Sequence, residues 1–443
     1  MKCMFVDNFR GFRETLLPLK DVNFLVGENS TGKTSLLALL NLFHSPNFWA
    51  LGEFSSGEIE PREIDLGNYE DIVSMHAKDK TYFHVGALSG LEKGRRNKYE
   101  AFLMTFSESR GMPKIQRYTV VTDNRKADIK FKGQKAFCQM EKAESIPGDY
   151  SGVKRLFMRW LTNHRKETSG FKELKGLRFP RGIGSAGAVN ILIQAIIRGE
   201  PISPRTLRLE LAYPVLYQHL IWLAPIRTKP QPIYSKYDTR FSPEGHHTPY
   251  SIKRLLESKE TAEGFKRFVE EFGRESGLFE SVDIRQYEYG RRKVAPFEVD
   301  IVLSGEATKI TNVGYGVSQA LPIIVELFTG HKGSAYTIQQ PEIHLHPVAQ
   351  AALGDLFFKF AVMDNKKFIV ETHSDFIIDR FRTNLRNNDK NKKPRSQIIY
   401  FESSGEGNVA KVLDIDEEGN LPKDQPKGYR EFFLKEDLRV LGY

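Results

Sequence analysis

A phosphate-binding loop is the feature that most constrains this chain. Residues 27–34 read GENSTGKT and fit the pattern G-x-x-x-x-G-K-[ST]. The run 22–26 before them is typical of a buried strand, and the run 35–43 after them is typical of the helix that leaves such a loop. Because motif and context agree, the sequence predicts a binder of nucleoside triphosphates rather than a chance glycine-rich turn.

The parts of this loop have distinct predicted roles. Successive main-chain N–H groups and the helix N-terminus face the phosphates, because both attract negative charge. Lys33 is expected to reach the β and γ oxygens, and the Thr34 hydroxyl is expected to coordinate Mg²⁺. Contacts with the nucleotide are expected from Gly27, Glu28, Asn29, Ser30, Thr31, Gly32, Lys33, Thr34 and Ser35.

Length and composition bound the remaining possibilities. A chain of 443 residues, 40% apolar and 27% charged, is an ordinary globular protein with room for about two or three domains. No apolar run approaches the ~18 residues of a membrane span, and the N-terminus shows no signal-peptide pattern. Cys3 and Cys138 are the only cysteines, so we expect core thiols in a cytoplasmic protein with no membrane partner.

The charge balance is basic. The 65 Lys and Arg residues against 56 Asp and Glu give +9, which favours a polyanionic partner such as nucleic acid or an acidic protein. The densest basic cluster, residues 380–395, lies on a Pro- and Asn-containing stretch before the strand-like run 397–401. A solvated surface loop explains this cluster more simply, so direct nucleic-acid binding is the weaker expectation.

The two ends of the chain read as halves of one nucleotide-binding domain. Residues 1–80 carry the loop, and residues 311–443 alternate helices and strands, which is typical of a mainly parallel sheet. The alternation predicts helices over 317–328, 348–360 and 376–386 and strands over 335–338 and 367–370.

The middle of the chain has another character. Residues 81–215 begin with alternating runs that indicate an antiparallel β lobe and continue with helical runs, among them 189–197. Residues 216–310 combine a return strand at 219–223, charged amphipathic helices within 251–279 and a β-hairpin. The predicted fold is therefore an α/β ATPase head with a mainly parallel sheet, an antiparallel β lobe and a helical insertion or lid.

Three further motifs follow in order. Residues 312–319, NVGYGVSQ, form a Gly-containing turn that opens an apolar helix and so aims a positive dipole at an anion, although a helix cap explains it equally well. Residues 339–347, QQPEIHLHP, end one strand, and residues 372–375, THSD, end the next. His373 thus stands just beyond a parallel strand, where open α/β sheets bind ligands.

This ordered set resembles the ABC-type P-loop ATPase heads shared by SMC, RecF and OLD-family proteins. Within that group it looks most like the ATPase subunits of bacterial anti-phage defence systems of the PARIS and Septu types. The resemblance covers residues 1–45 and 310–380, with further similar segments at 223–227, 241–245 and 428–433. It implies ATP and Mg²⁺ as cofactors.

Carried onto these residues, the resemblance makes 27–34 the Walker A loop and 312–319 the signature that contacts the γ-phosphate held by another subunit. The expected signature contacts come from Gly314, Tyr315, Gly316, Ser318 and Gln319. His344 and His346 match a loop that crosses the dimer interface, with a metal pair as the alternative. His373 matches the switch histidine that senses the γ-phosphate, with a buried structural histidine as the alternative.

The departure from this family lies at Gln339 and Gln340. In the family, the first of these positions is an acid that holds Mg²⁺ through water, and the second positions the attacking water. The resemblance therefore makes Gln339, Gln340 and His373 the expected catalytic residues. Thr34 and Gln339 are the expected metal residues. A carboxamide cannot accept a proton and binds a hard cation poorly, which predicts slow hydrolysis that Gln339→Glu should accelerate.

Three explanations of this departure stay open. Gln339 is an engineered replacement of Glu, or Glu342 supplies the missing charge, or the chain uses ATP as a structural switch. The adjacent pair His246 and His247 is expected to form a surface turn.

A head of this type implies a homo-oligomer in which ATP joins half-sites of two chains. No nuclease pattern accompanies it, and the chain continues only 70 residues past His373, too few for a Toprim-like nuclease domain. The expected function is an ATP-binding sensor and scaffold that holds a separate toxic effector, a nuclease, until a phage protein triggers release. The alternative is a RecF- or SMC-like DNA-repair ATPase, which the absence of a long heptad-bearing segment disfavours.

Overall fold

The computed structural model describes residues 1–45, 48–49, 66–89, 99–122, 125–133, 135–166, 170–174, 216–217, 219–235, 238–287, 296–388, 393–429 and 431. They belong to two compact units, Met1–Lys20, Gly27–Gln218 and Phe401–Val412 in one and Asp21–Val26, His219–Tyr400 and Leu413–Tyr443 in the other. The predicted helical run 189–197 and the tail positions 430, 432 and 433 lie outside the described residues.

Strands supply most of the framework. In chain order they are β1 (Lys2–Asp7), β2 (Thr15–Leu19), β3 (Val22–Gly27), β4 (Tyr82–Leu88), β5 (Tyr99–Ser109), β6 (Met112–Thr122), β7 (Arg125–Lys132), β8 (Lys135–Lys142), β9 (Lys172–Glu173), β10 (Leu220–Leu223), β11 (Ser281–Gln286), β12 (Phe297–Leu303), β13 (Glu306–Lys309), β14 (Ala335–Gln339), β15 (Lys367–Glu371), β16 (Ser396–Ser404) and β17 (Gly407–Ile415).

The helices carry the motifs that follow these strands. In chain order they are α1 (Lys33–Leu42), α2 (Tyr69–Ile72), α3 (Tyr150–Arg165), α4 (Thr248–Glu257), α5 (Ala262–Ser276), α6 (Tyr315–Thr329), α7 (Pro347–Met363) and α8 (Asp375–Asn387), and a 3-10 turn covers Ile310–Asn312. Within the described ranges, every helix is too short or too polar to cross a bilayer.

The first unit contains the predicted antiparallel β lobe. Its sheet has the order β2-β1-β4-β5-β6-β7-β8-β9, and all its neighbouring strands are antiparallel. Helix α3 packs on this sheet through apolar residues at helical spacing, and Phe157 stacks on Phe5 with ring centroids 5.0 Å apart. Cys3 and Cys138 are buried as expected, and burial raises the pKa of Cys3 to about 12.

The predicted parallel sheet has the strand order β10-β14-β15-β3-β16-β17, and its strands β10, β14 and β15 belong to the second unit. The neighbouring pairs β10 with β14, β14 with β15, and β15 with β3 are all parallel. The carboxyl ends of these strands therefore lie at one edge of the sheet, which is where parallel sheets place ligands. The helices and strands predicted between 317 and 386 are confirmed, with ends that differ by at most three residues.

Helices α4 and α5 share an apolar core with α6 and α7, next to the small antiparallel sheet β11-β12-β13. The prediction of a surface turn at His246 and His247 is half wrong, because only His246 is exposed. His247 is 3% exposed, and the main-chain N–H of Ser242 donates to its Nδ1. Nε2 therefore carries the hydrogen and donates to Glu326 Oε1 over 2.6 Å.

This pair predicts a stability difference between neighbouring histidines. His247→Ala leaves the largely buried Glu326 carboxylate without its imidazole partner, so we expect the free energy of unfolding to fall by about 3 kcal/mol. His246→Ala changes only an exposed side chain and should stay within about 0.5 kcal/mol of the parent. Urea denaturation of both variants measures the difference, and equal stabilities would contradict the assignment.

Candidate functional site

The phosphate loop, residues 27–34, begins at the last residue of β3 and ends in the first turn of α1. Both glycines of its pattern are required by their surroundings. Gly27 has φ 144°, and a Cβ there would lie 2.1 Å from the carbonyl oxygen of Phe401. Gly32 is the left-handed N-cap of α1, and a Cβ there would lie 2.4 Å from the Phe12 ring. The main chain is thus free of side chains at the two positions where it must turn.

Two polar side chains of the loop, Lys33 and Thr31, bond to its own main chain. Lys33 is 3% exposed, and its Nζ donates to the carbonyl oxygens of Gly27 at 2.8 Å and Glu28 at 2.6 Å. Thr31 closes the turn through a 2.7 Å hydrogen bond from its hydroxyl to the Glu28 carbonyl. Thr34 is exposed at the start of α1. A triphosphate would offer Lys33 anionic oxygens, which bind an ammonium group more strongly than carbonyl oxygens do.

The predicted signature turn precedes α6 in the second unit. Gly314 is the N-cap of α6, and both Gly314 and Tyr315 are exposed. Gly316 is buried so closely that a Cβ would lie 2.9 Å from the carbonyl oxygen of His344. The Tyr315 and His344 rings are also neighbours, with centroids 5.6 Å apart. The structure therefore brings the signature turn against the loop predicted to cross the interface.

That loop, residues 340–346, connects β14 to α7. Gln340 and His344 have positive φ values of 41° and 62°, which residues other than glycine rarely adopt and which concentrate at functional sites. His346 caps α7, since its Nδ1 accepts from the main-chain N–H of Val348. Among the described residues no group of three or more His, Cys, Asp or Glu could hold a metal ion.

Gln339 is the last residue of β14 and is 5% exposed. Its Oε1 accepts from Trp222 Nε1 over 2.9 Å, and its Nε2 donates to Glu371 Oε2 over 3.2 Å. Gln340, the next residue, donates its main-chain N–H to the Glu371 carbonyl oxygen. Hydrogen bonds therefore join the end of β14 to both neighbouring strands, β10 and β15.

Glu342 holds the turn that follows β15. One carboxylate oxygen accepts from the Thr372 hydroxyl at 2.8 Å, and the other accepts from the main-chain N–H of His373 at 2.7 Å. Burial raises the pKa of Glu342, and these hydrogen bonds and the charge of Arg227 oppose that rise. Ser374 then caps α8 by accepting from the N–H of Ile377. His373 is half-buried and is positioned through its main chain by Glu342.

Arg227 links the signature helix to the end of β14. The Gln319 carboxamide makes two hydrogen bonds to the main chain of Arg227. Its Oε1 accepts from the Arg227 N–H, and its Nε2 donates to the Arg227 carbonyl oxygen. The guanidinium Nη2 donates to the Gln339 carbonyl oxygen at 3.3 Å. Arg227 is 3% exposed, and burial lowers its pKa to about 10 against the opposing charge of Glu342. Gln319 is thus placed as a structural contact within its own chain.

Glu371, Trp222 and Arg227 have no role in the sequence-based hypothesis. Arg227 is part of a similar segment in the family resemblance, without an assigned function. The one signal for Glu371 is a charged residue that closes the apolar run 368–370 immediately before the THSD motif. Trp222 carries no signal, because its partner Gln339 is 117 residues away.

The segments that carry these motifs match a known protein family. A family model described as an AAA ATPase domain matches residues 1–140 and 227–378, which include the phosphate loop, the signature turn and both strand-end motifs. The chain belongs to the AAA ATPase domain family. ATP is therefore the nucleotide, and ATP hydrolysis the activity, that membership in the AAA ATPase domain family implies. None of the curated protein sequences matches the chain.

Solved structures similar to this AAA ATPase domain include SMC heads. An SMC head bound to the C-winged helix domain of ScpA is 12% identical, with 94% of this chain and 98% of that chain covered and a TM-score of 0.40. The SMC head domain from Thermotoga maritima is 11% identical, with 94% and 98% covered and a TM-score of 0.35.

The residues present fit ATP and Mg²⁺. Gly27 and Gly32 let the main chain turn between β3 and α1, and Thr34, exposed at the start of α1, would hold Mg²⁺. Mg²⁺ keeps several waters and needs only one or two carboxylates beside the phosphates, so the lack of a larger acidic cluster among the described residues is compatible with it. The Gln339 carboxamide is a poor ligand for so hard a cation.

Proposed function

We propose that this chain is the ATP-controlled sensor and scaffold subunit of an anti-phage defence complex. It binds ATP with Mg²⁺ at residues 27–34, assembles with copies of itself around the nucleotide, and holds a separate effector, a nuclease, until a phage protein triggers release. The narrower resemblance is to AriA of the PARIS system, and next to PtuA of Septu-type systems.

The contact between the signature turn and the 340–346 loop is the observation that carries this proposal. Position 316 has no room for a side chain, because the His344 carbonyl oxygen lies against Gly316. The two motifs therefore form one surface. Tyr315, His344, His346 and Val348 are exposed on this surface. Exposed aromatic and apolar groups around a helix N-terminus suit a face that another chain and its triphosphate would cover.

In this proposal each residue of the ATP site has a separate role. Lys33 and the loop N–H groups bind the phosphates, and Thr34 holds Mg²⁺, which supplies charge stabilisation when bound. Gln340 positions the attacking water through its carboxamide, and His373 contacts the γ-phosphate region from the end of β15. The exposed start of the signature turn, Gly314 and Tyr315, completes the site of a neighbouring chain in this proposal. ATP therefore controls assembly.

Co-expression with the product of the neighbouring gene tests the sensor role. We expect a complex that survives size-exclusion chromatography with ATP and Mg²⁺ and that loses its effector when the phage trigger is added. The matched control is the Lys33→Ala chain, which should not hold the effector in an ATP-dependent way. A chain that never co-purifies with this product would contradict the proposal.

A RecF- or SMC-like role in DNA repair is the second candidate, and the net charge of +9 favours it. Arg386 and Arg395 of the basic cluster are exposed, whereas Lys390 and Lys392 lie outside the described residues. Tight duplex binding by the isolated chain that weakens steeply with salt would support this candidate. Weak binding at physiological salt would support the sensor.

A further inference from the structure

Arg227 is a buried arginine whose side chain is poorly supplied with hydrogen-bond acceptors. It follows β10 and is 3% exposed. A guanidinium carries N–H donors on each of its nitrogens, yet Nε and Nη1 of Arg227 are buried with no hydrogen-bond partner. Buried donors without acceptors lower the stability of a fold. Stability is therefore a poor explanation for an arginine at this position.

The remaining nitrogen, Nη2, bonds to the peptide group that joins Gln339 to Gln340. It donates to the carbonyl oxygen of this peptide at 3.3 Å, and the N–H of the same peptide donates to the main-chain carbonyl oxygen of Glu371 at 2.7 Å. Arg227 thus holds one end of the peptide, and β15 holds the other. Gln340 has a φ of 41°, a strained conformation that persists only where its surroundings enforce it.

Helix α6 in turn positions the main chain of Arg227. The Gln319 carboxamide accepts from the Arg227 N–H at 3.2 Å and donates to the Arg227 carbonyl oxygen at 3.4 Å. Gln319 is 3% exposed and lies near the start of α6, which begins at the exposed Tyr315 of the signature turn. A displacement of the signature turn would therefore move Arg227 and the peptide that it holds.

Pairing with Glu342 does not explain why Arg227 is present. The charge of Glu342 acts on Arg227, but both carboxylate oxygens of Glu342 accept from the turn after β15, from Thr372 and His373. Among the described residues Arg227 has no ion-pair partner within 4.0 Å. An apolar side chain of similar length would fill the same space without burying a charge.

We propose that Arg227 is a positioning residue for ATP hydrolysis. It fixes the 339–340 peptide so that Gln340 can place the attacking water, and through Gln319 it makes the position of this peptide depend on the signature helix. The inference rests on the proposed function, which gives Gln340 and the signature turn their roles. Arg227 acts through Gln340 and needs no contact with the nucleotide, because small misplacements of a catalytic group lower rates strongly.

Arg227→Met separates this role from a purely structural one. Methionine has similar length and no charge, so we expect the variant to be at least as stable as the parent in urea denaturation. ATP affinity, measured by calorimetric titration, should change by less than about twofold, whereas kcat for phosphate release should fall at least about tenfold. A purely structural role predicts lower stability with kcat unchanged in the folded protein.

Two further variants complete the experiment. Arg240→Met changes an exposed arginine of the same unit and should match the parent in stability, ATP affinity and kcat. Gln319→Met removes both hydrogen bonds to the Arg227 main chain and should also lower kcat. If both residues act through one peptide, the double variant of Arg227→Met and Gln319→Met is no slower than the slower single variant. Effects that multiply in the double variant would overturn the coupling.

The possible failures are distinguishable. If Arg227→Met does not fold, Gln319→Met decides, since a lower kcat at unchanged ATP affinity supports the proposal and an unchanged kcat overturns it. A parent chain that binds no ATP would overturn the proposed function itself. If the parent hydrolyses ATP and Arg227→Met keeps the parent kcat, only the role of Arg227 is wrong.

Discussion

Lys33→Ala is expected to weaken ATP binding at least about 100-fold, or 2.7 kcal/mol. Lys33 Nζ is the ammonium group of the phosphate loop, and nothing else in residues 27–34 carries positive charge. Its loss leaves the β- and γ-phosphate oxygens without a charge-assisted hydrogen bond. Equilibrium binding of a fluorescent ATP analogue measures the effect.

A control separates binding from folding in this prediction. Lys33 also donates to the Gly27 and Glu28 carbonyl oxygens, so its removal changes the empty loop as well. Lys78→Ala removes an exposed lysine of the same unit and should bind ATP like the parent. Lys33→Ala should keep its thermal unfolding temperature within a few degrees. Undiminished ATP affinity in Lys33→Ala would contradict the assignment of the phosphate loop.

Local patterns were sufficient to predict the elements that position the site. The apolar runs of β3, β14 and β15 and the helices after them are visible in the sequence because each is a contiguous signal. The glycines of the phosphate loop were likewise predictable from the loop pattern, whereas the Phe401 carbonyl oxygen and the Phe12 ring that exclude side chains there are distant in the sequence.

Pairings between distant residues were not predictable in this way. His247 looks like half of a polar surface pair, whereas in the fold it is buried and bonds to Glu326, 79 residues away. Gln339 looks like a lost acid, whereas its neighbour Glu371, 32 residues away on the adjacent strand, gives the glutamine a partner. Strand order decides which side chains meet at the edge of a parallel sheet, and a single sequence does not state that order.

The second large effect concerns assembly at the signature turn. Gly316 is a poor site for a test, because any side chain there would press on the His344 carbonyl oxygen. Gly314 is better suited, since its φ is −58° and a Cβ would meet no atom within 4 Å. Glu and Gln both fit this exposed N-cap and differ only in charge. An acidic side chain at a helix N-terminus also favours the helix, so folding should be retained.

Gly314→Glu is expected to bind ATP like the parent and to lose ATP-dependent association. Its own phosphate loop is unchanged, but the new carboxylate would face the triphosphate of a neighbouring chain, where repulsion between like charges 4 Å apart reaches about 4 kcal/mol. Gly314→Gln has the same shape without the charge and should associate normally. Light scattering with and without ATP compares the two variants. If Gly314→Glu assembles as the parent does, the turn is only a helix cap, and ATP does not join these chains through it.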